Sequence, residues 1–233
     1  MYHKSTQKVA IFDIDGTIFR SSLLIELVDR LVEDGIFPKT ATAEFAREKL
    51  AWLDRKGDYE SYILAVIGVF MRHIKGVSYK DFDRVGEEVV AAQEKRVYRF
   101  TRDLVKKLKK QKYFLLAISQ SPKTILDKFC KRWGFDKVYG RIYELGPQDR
   151  FTGLVTDEHL ISNKGAILRR AVEKENLTLA GSVGVGDTEG DVAFLELVER
   201  PICFNPNAKL YAQARRNKWE VVVERKDVVY KIQ

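Results

Sequence analysis

Lys8-Val9-Ala10-Ile11-Phe12-Asp13-Ile14-Asp15-Gly16-Thr17 is the stretch that decides the fold. A short, apolar, β-branched-rich run ends abruptly in an acidic turn, the pattern of a strand buried on both faces of a parallel sheet. Two carboxylates separated by one residue then stand just past the strand's carboxyl end, where open α/β sheets place their ligands. One of such a pair can attack as a nucleophile while the other donates and later accepts a proton. Gly16 and Thr17 permit a tight turn and offer backbone N–H groups to a phosphate. Alone, the string also fits an ordinary acidic turn, so the rest of the chain has to decide.

Similar apolar runs recur at Tyr113 to Ile118, Ser182 to Val185, Pro201 to Phe204 and Trp219 to Val223. Helical patterns lie between them, at Pro122 to Trp133, Lys164 to Glu175, Asp191 to Val198 and Asn207 to Asn217. Alternation of strand and helix predicts an α/β fold, a doubly wound parallel sheet with right-handed crossovers. Two stretches break the rhythm. From about Ser21 to Tyr98 only helical patterns occur, with apolar stripes at Leu23, Leu24, Leu27, Val28 and Leu31, at Phe45, Leu50 and Leu53, and at Ile63, Val66, Ile67 and Phe70. Ser78 with Asp81 resembles a capping box opening another helix. Four such helices make a small bundle able to bury its own core, inserted after the first strand and so placed over the sheet's carboxyl edge. The expected division is therefore residues 1–20 and 99–233 for the sheet domain and 21–98 for the helical insert. From Val138 to Val155, apolar alternation around Gly146-Pro147 predicts a hairpin-like excursion.

Composition narrows the class. At 233 residues, with 45% hydrophobic and 32% charged residues, the chain reads as an ordinary globular protein. No run approaches the roughly 18 to 20 apolar residues of a membrane helix, and the first residues lack the features of a signal peptide. The expected location is the cytoplasm. Cys130 and Cys203 have no metal-binding spacing and read as buried free thiols. The net charge of +8 includes Lys106-Lys107-Leu108-Lys109-Lys110, which reads as the solvated face of a helix with Leu104, Val105 and Leu108 inward. No nucleic-acid motif accompanies it, so no nucleic-acid partner is expected. A basic surface also suits a phosphorylated substrate.

Gly184-Val185-Gly186-Asp187-Thr188-Glu189-Gly190-Asp191 supplies a second acidic group directly after an apolar strand. Magnesium prefers oxygen ligands, and carboxylates suit it better than zinc. Ser119 ends the run Leu115-Leu116-Ala117-Ile118, where a hydroxyl could meet a phosphoryl oxygen, and Ser121-Pro122 opens a helix. Lys164 stands at a helix start, the end a cation disfavours unless it pairs with an anion there.

Strand-DxDGT, strand-Ser, a lysine opening a helix and strand-GDxxxD, in that order, resemble the haloacid dehalogenase-like hydrolase superfamily. The resemblance covers Lys8 to about Asn207 and extends to the insert, which is similar to that superfamily's helical cap on a Rossmann-like core. Phe151-Thr152-Gly153, the later lysine and Cys203-Phe204-Asn205-Pro206-Asn207 resemble the phosphoserine-phosphatase-like branch. The resemblance implies a phosphatase: Asp13 attacks phosphorus and becomes an aspartyl phosphate, and Asp15 serves as acid and then base. It implies Mg²⁺ held by Asp13, the Asp15 backbone carbonyl and Asp187, with Asp191 orienting ligands, and phosphoryl oxygens bound by Ser119 and Lys164. Asp15 argues against dehalogenase chemistry, because the alkyl-halide enzymes lack this acid. Two departures bear on the substrate: the branch's substrate-binding glutamate is replaced by Ser22, and the asparagine before the final aspartate by Gly190. The expected substrate is a small organic phosphate, with phosphoserine disfavoured by both departures, and Arg20, Ser21, Ser22, Arg72 and His73 are candidate contacts. The alternatives are phosphoryl transfer to an acceptor other than water, or a non-catalytic protein binding RNA or an acidic membrane surface on the same fold. Oligomeric state is not legible.

Overall fold

The apolar run before Asp13 is a central strand in the computed structural model, which describes residues 6–156 and 161–232. This strand, β1 (Gln7–Phe12), pairs in parallel with β2 (Phe114–Pro122) on one side and β5 (Leu177–Gly186) on the other. From there the chain works outward twice. On one side β2 is followed by β3 (Lys137–Leu145) in parallel and β4 (Phe151–Thr156) antiparallel. On the other, β5 is followed by β6 (Arg200–Phe204) and β7 (Glu220–Arg225) in parallel, then β8 (Val228–Ile232) antiparallel. The eight strands run β4-β3-β2-β1-β5-β6-β7-β8. The order reverses beside β1, so the crevice outside the carboxyl ends of β1, β2 and β5 is where such a sheet binds ligands.

The period of two along each strand sorts its side chains onto two cores. Ala10, Phe12, Leu115, Ala117, Ile202 and Phe204 face one cluster; Val9, Ile11, Leu116, Ile118 and Cys203 face the other. Cys130 belongs to the first cluster, and both cysteines are buried free thiols. The hairpin expected around Gly146-Pro147 is β3–β4, and its tight loop puts Gln148 and Asp149 at φ 58° and 53°. The edge strand β8 was not among the expected runs.

Between β1 and β2 lie α1 (Leu23–Glu33), α2 (Ala46–Leu53), α3 (Tyr59–His73), α4 (Tyr79–Gln93) and α5 (Arg99–Lys110). The stripe expected on α1 is buried throughout, as are Leu104, Val105 and Leu108 of α5, whose lysines face outward. The stripe expected on α2 is not. Leu50 and Leu53 are 63% and 62% exposed, because this two-turn helix packs through half-buried Trp52 instead. Ser78 stands at the N-cap of α4 without a side-chain bond, so the capping box is not formed. Nor do α1 to α4 enclose a core of their own. Their apolar side chains belong to the same continuous cluster as Phe12, Leu115, Ile125 and Phe129. The reason is packing: Phe19 meets Phe129 edge-on at 5.5 Å, and Phe70 and Phe82 meet Tyr143 and Phe151 of the hairpin at 5.0 and 4.9 Å. Lys128 of α6 (Lys123–Trp133) adds an ion pair to Asp83 of α4 at 2.9 Å.

Among the described residues the further helices are α7 (Lys164–Lys174), the short α8 (Val192–Leu195) and α9 (Ala208–Asn217). The helix expected from Asp191 to Val198 is thus shorter, preceded by a single 3-10 turn over Glu189–Asp191. Among the described residues no helix is long and apolar enough to cross a membrane.

Candidate active site

Asp13 leaves β1 still tied to the sheet, its N–H donating to the Val185 carbonyl at 2.9 Å. The chain then turns tightly, Ile14 accepting from the N–H groups of Ile18 and Phe19, both at 2.9 Å. Gly16 takes φ +78° at the top of this turn, where a Cβ would lie 2.1 Å from Asp187 Oδ2. Only glycine brings the β1 and β5 loops this close. One expectation fails here. The Gly16 N–H bonds to the Phe19 and Ser21 carbonyls and the Thr17 N–H to that of Ile14, so the turn itself uses the donors expected to reach a phosphate. Thr17 contributes its hydroxyl instead, to Asp187 Oδ1 at 3.3 Å.

Four carboxylates meet at the sheet edge. Lys164, at the start of α7, reaches Asp13 Oδ1 at 2.7 Å and Asp191 Oδ1 at 2.6 Å. That anion pair explains a lysine at a helix N-terminus. Its side chain is 7% exposed, and Asp191 is fully buried. Asp191 also accepts from the N–H groups of Asp187 and Thr188 at 3.0 and 3.2 Å, so it closes the turn that carries it as well as pairing with Lys164.

Asp15 is held separately. Its Oδ1 accepts from the Leu23 N–H at 2.7 Å, at the start of α1, and its Oδ2 from the hydroxyls of Ser119 and Ser121 at 2.6 and 2.7 Å. Ser121 was not singled out as a site residue. The signal was available: residues 119 and 121 are two apart on one strand and must share a face.

Oxygen atoms of Asp13, Asp187 and Asp191 lie within 4.8 Å of one another. The Asp15 carboxylate is turned to its three donors, so only its main-chain oxygen could join them. Among the described residues Lys164 is the one cation in contact with this cluster. Burial holds Asp13 up at about 7 against the pull of Lys164, with Asp191 and Asp15 adding to the rise. Burial, then Asp13 and Asp191, likewise pushes Asp187 far above the carboxylate range. Burial also raises Asp15, the hydroxyls and the Leu23 N–H opposing it. Lys164 goes the other way: burial lowers it, but Asp13 and Asp191 outweigh burial and keep it charged. Crowded carboxylates with a single counter-charge and, among the described residues, no sulfur or imidazole beside them are the donors a hard cation takes, and they would fit magnesium.

The other expected contacts scatter. Ser22 is buried beside Asp15 at the N-cap of α1, without a side-chain cap bond. Ser21 is half-buried, its carbonyl taken by Gly16. Arg20 is exposed, its guanidinium 5.7 Å from the centroid of the Tyr98 ring. Arg72 and His73 are not brought to the carboxylates. They close the far end of α3, and both bind Glu44.

The comparisons with known proteins agree with this geometry. The model of the haloacid dehalogenase-like hydrolases matches residues 10–196. The chain belongs to that family. The phosphoserine phosphatase SerB1 of Mycobacterium tuberculosis is 24% identical over 91% of this chain and 69% of its own. The histidinol-phosphatase of Neisseria meningitidis is 23% identical over 93% of this chain and 98% of its own. Among solved structures, a phospho-aspartyl intermediate analogue of phosphoserine phosphatase superposes with a TM-score of 0.60 at 22% identity, covering 96% of each chain. That likeness establishes a shared fold: this chain has the Rossmann-like sheet of the hydrolase family with helices inserted after β1.

Proposed function

We propose that the protein is a magnesium-dependent phosphomonoesterase that hydrolyses the phosphate ester of a small organic alcohol through an aspartyl phosphate on Asp13. The observation that carries this reading is the unequal treatment of two neighbouring carboxylates. Asp13 is gripped through one oxygen by Lys164, whereas Asp15 sits among hydroxyl and N–H donors. The phosphatase names of the two relatives support the same reaction class.

In the first step the Asp13 oxygen not held by Lys164 attacks phosphorus, the bond from phosphorus to the ester oxygen breaks, and Asp15 passes its proton to the departing alkoxide. A carboxyl raised by burial keeps that proton at hand. In the second step Asp15 takes a proton from water as the water oxygen attacks phosphorus. The bond to Asp13 breaks and inorganic phosphate leaves. Lys164 offsets charge between Asp13 and Asp191 throughout, and phosphoryl transfer depends mainly on such positioning and neutralisation. Ser119 binds a phosphoryl oxygen by rotating its hydroxyl off Asp15, where Ser121 remains. Asp13, Asp187 and the Asp15 carbonyl, with Asp191 behind them, would hold Mg²⁺, which when bound would supply positive charge to ionise the nucleophile and screen the phosphoryl oxygens.

In this reading residues 1–20 and 99–233 are the catalytic domain and residues 21–98 its cap. Ser22 in place of a substrate-binding glutamate, with Gly190, disfavours phosphoserine. The buried free thiols accord with the cytoplasm. The test is phosphate release from p-nitrophenyl phosphate with and without Mg²⁺. Asp13→Asn is expected to lower the rate by at least about 10⁴-fold while the circular dichroism spectrum is retained. Wild-type activity in that variant overturns the nucleophile.

A further inference from the structure

Strand β2 does not run evenly into α6. Between Ile118, opposite Tyr139, and Pro122, opposite Arg141, it advances four residues while β3 advances two. Bulges of this kind re-aim side chains beside active sites. Gly140 of β3 lets the bulge close in: a Cβ there would lie 3.1 Å from the Ser121 carbonyl oxygen and 2.9 Å from Lys123 Cα. The bulge carries Ser119 and Ser121, which are 1% and 3% exposed. A serine before a proline at a helix start ordinarily caps the helix. Ser121 does not. Pro122 is the N-cap of α6, without a side-chain cap bond, and the Ser121 hydroxyl donates to Asp15 Oδ2 at 2.7 Å instead.

The two buried serines are not equivalent. The Ser121 N–H donates to Ser119 Oγ at 3.0 Å, so the main chain anchors the Ser119 oxygen and leaves its hydrogen free to turn. Here that hydroxyl donates to Asp15 Oδ2 at 2.6 Å. A carboxylate oxygen has two acceptor positions, and the two hydroxyls fill both at Oδ2. When the Ser119 hydrogen turns to a phosphoryl oxygen, one position at Oδ2 opens beside the phosphoryl group. Ser121 keeps the other. The Leu23 N–H, 2.7 Å from Oδ1, fixes the opposite oxygen. Ser121 and Leu23 are then the two points that set the plane of the Asp15 carboxyl group.

We infer that Ser121 is a positioning residue of the reaction, holding the Asp15 carboxyl group in line with the ester oxygen while Ser119 serves the phosphoryl group. Ser121 touches no reacting atom and moves no proton. The proton passes from Asp15 to the ester oxygen as the phosphorus–oxygen bond breaks, and Ser121 supplies the aim of that transfer. Its weight grows with the basicity of the leaving oxygen, because a poor leaving group depends most on a placed acid. A phenyl ester therefore depends on Ser121 more than a p-nitrophenyl ester, whose phenolate leaves readily without a proton. This rests on the phosphatase reading above, which Mg²⁺-dependent release of phosphate from p-nitrophenyl phosphate by the wild type tests on its own.

The experiment measures kcat/KM with Mg²⁺ on p-nitrophenyl phosphate and on phenyl phosphate, for wild type, Ser121→Ala, Ser121→Thr and Ser119→Ala. The readout is the ratio of the first value to the second. In Ser121→Ala the ratio is expected to rise about fivefold, because the acid loses its aim while the phosphoryl group keeps its contacts. Ser121→Thr, which keeps the hydroxyl, is expected to return the ratio to within about twofold of wild type. In Ser119→Ala both values are expected to fall together, since both esters carry the same phosphoryl group. A serine with a merely structural role lowers both values alike, so a Ser121→Ala ratio within about twofold of wild type overturns the inference. So does a ratio that rises more in Ser119→Ala than in Ser121→Ala, or one as high in Ser121→Thr as in Ser121→Ala. Failure of the wild type to release phosphate overturns the phosphatase reading and this inference with it, whereas release with an unmoved ratio overturns the role of Ser121 alone.

Discussion

Two charge clusters in this molecule are built from like parts and do unlike things. At the sheet edge Lys164 joins Asp13 and Asp191 at 2.7 and 2.6 Å; at the far end of α3 Glu44 joins Arg72 and His73 at 2.5 and 2.7 Å. The distances hardly differ. The surroundings do: the first side chains are at most 7% exposed, whereas Arg72 is 57% and Glu44 31% exposed. Water and salt screen the second cluster, so its charges are pinned to one another and perturb little around them. At the first, burial outweighs a lysine in contact and still holds Asp13 up at about 7. Contact geometry alone does not mark a chemical site; desolvation does.

Removing the buried cation should break the contrast most. Lys164→Met leaves Asp13 and Asp191 without their counter-charge, a change that costs about 3–5 kcal/mol at buried pairs. Urea unfolding of the metal-free protein measures it, and a loss under about 1 kcal/mol would show that the cluster is solvated after all.

Protons and metal should compete for the same cluster. Asp13 sits near 7 folded against 3.8 unfolded, and Asp15 and Asp187 are shifted upward too. The folded metal-free protein therefore keeps protons that the unfolded chain has shed. Its stability is expected to fall as pH rises from about 4 to about 7, and to stay lower above that. A cation bound to the ionised cluster reverses the loss. At about a hundred times its dissociation constant Mg²⁺ contributes about 2.7 kcal/mol, so the melting temperature should rise by about 5–10 °C at pH 8 and clearly less at pH 5. Equal shifts at the two pH values would separate the metal from these carboxylates.

The smallest effect is expected at the exposed cluster. Glu44→Gln should leave kcat/KM within about twofold of wild type and the melting temperature within about 2 °C. A tenfold fall in kcat/KM would return Arg72 and His73 to the substrate site.

Much of the site was legible because strand chemistry is local. An apolar run that ends in a polar residue states where a sheet's carboxyl edge lies, and Asp13, Ser119 and Asp187 all follow such runs. Lys164 alone reads as a surface lysine whose place at a helix start asks for an anion, and only the resemblance of the ordered motifs pointed it to the site. Ser121 was visible in the period of two but was masked by its place before Pro122, which reads as a helix start. Arg72 and His73 were misplaced for another reason. Side-chain type says that a residue could bind a phosphate, not which end of a 15-residue helix meets the sheet. At about 1.5 Å per residue, His73 lies about 20 Å along α3 from Tyr59. The exposure of Leu50 and Leu53 and the missing separate core of the insert have the same origin, since periodicity finds a helix's apolar face without naming what covers it.

By itself, then, the sequence determined the parallel sheet, the helical insertion after β1, the edge at which chemistry occurs and the order of the residues that converge there. The sheet and the insertion follow from hydrophobic period and the edge from the rule for strand ends in open α/β sheets, whereas the set of residues is what the resemblance of the ordered motifs to the hydrolase family implies. Only the tertiary structure decided that Lys164 holds Asp13 rather than Asp15, that two serines share Asp15, and that Arg72 and His73 meet Glu44 instead of the carboxylates. Those are relations between groups up to 151 residues apart. They depend on helix rotation and on burial, which no local pattern encodes.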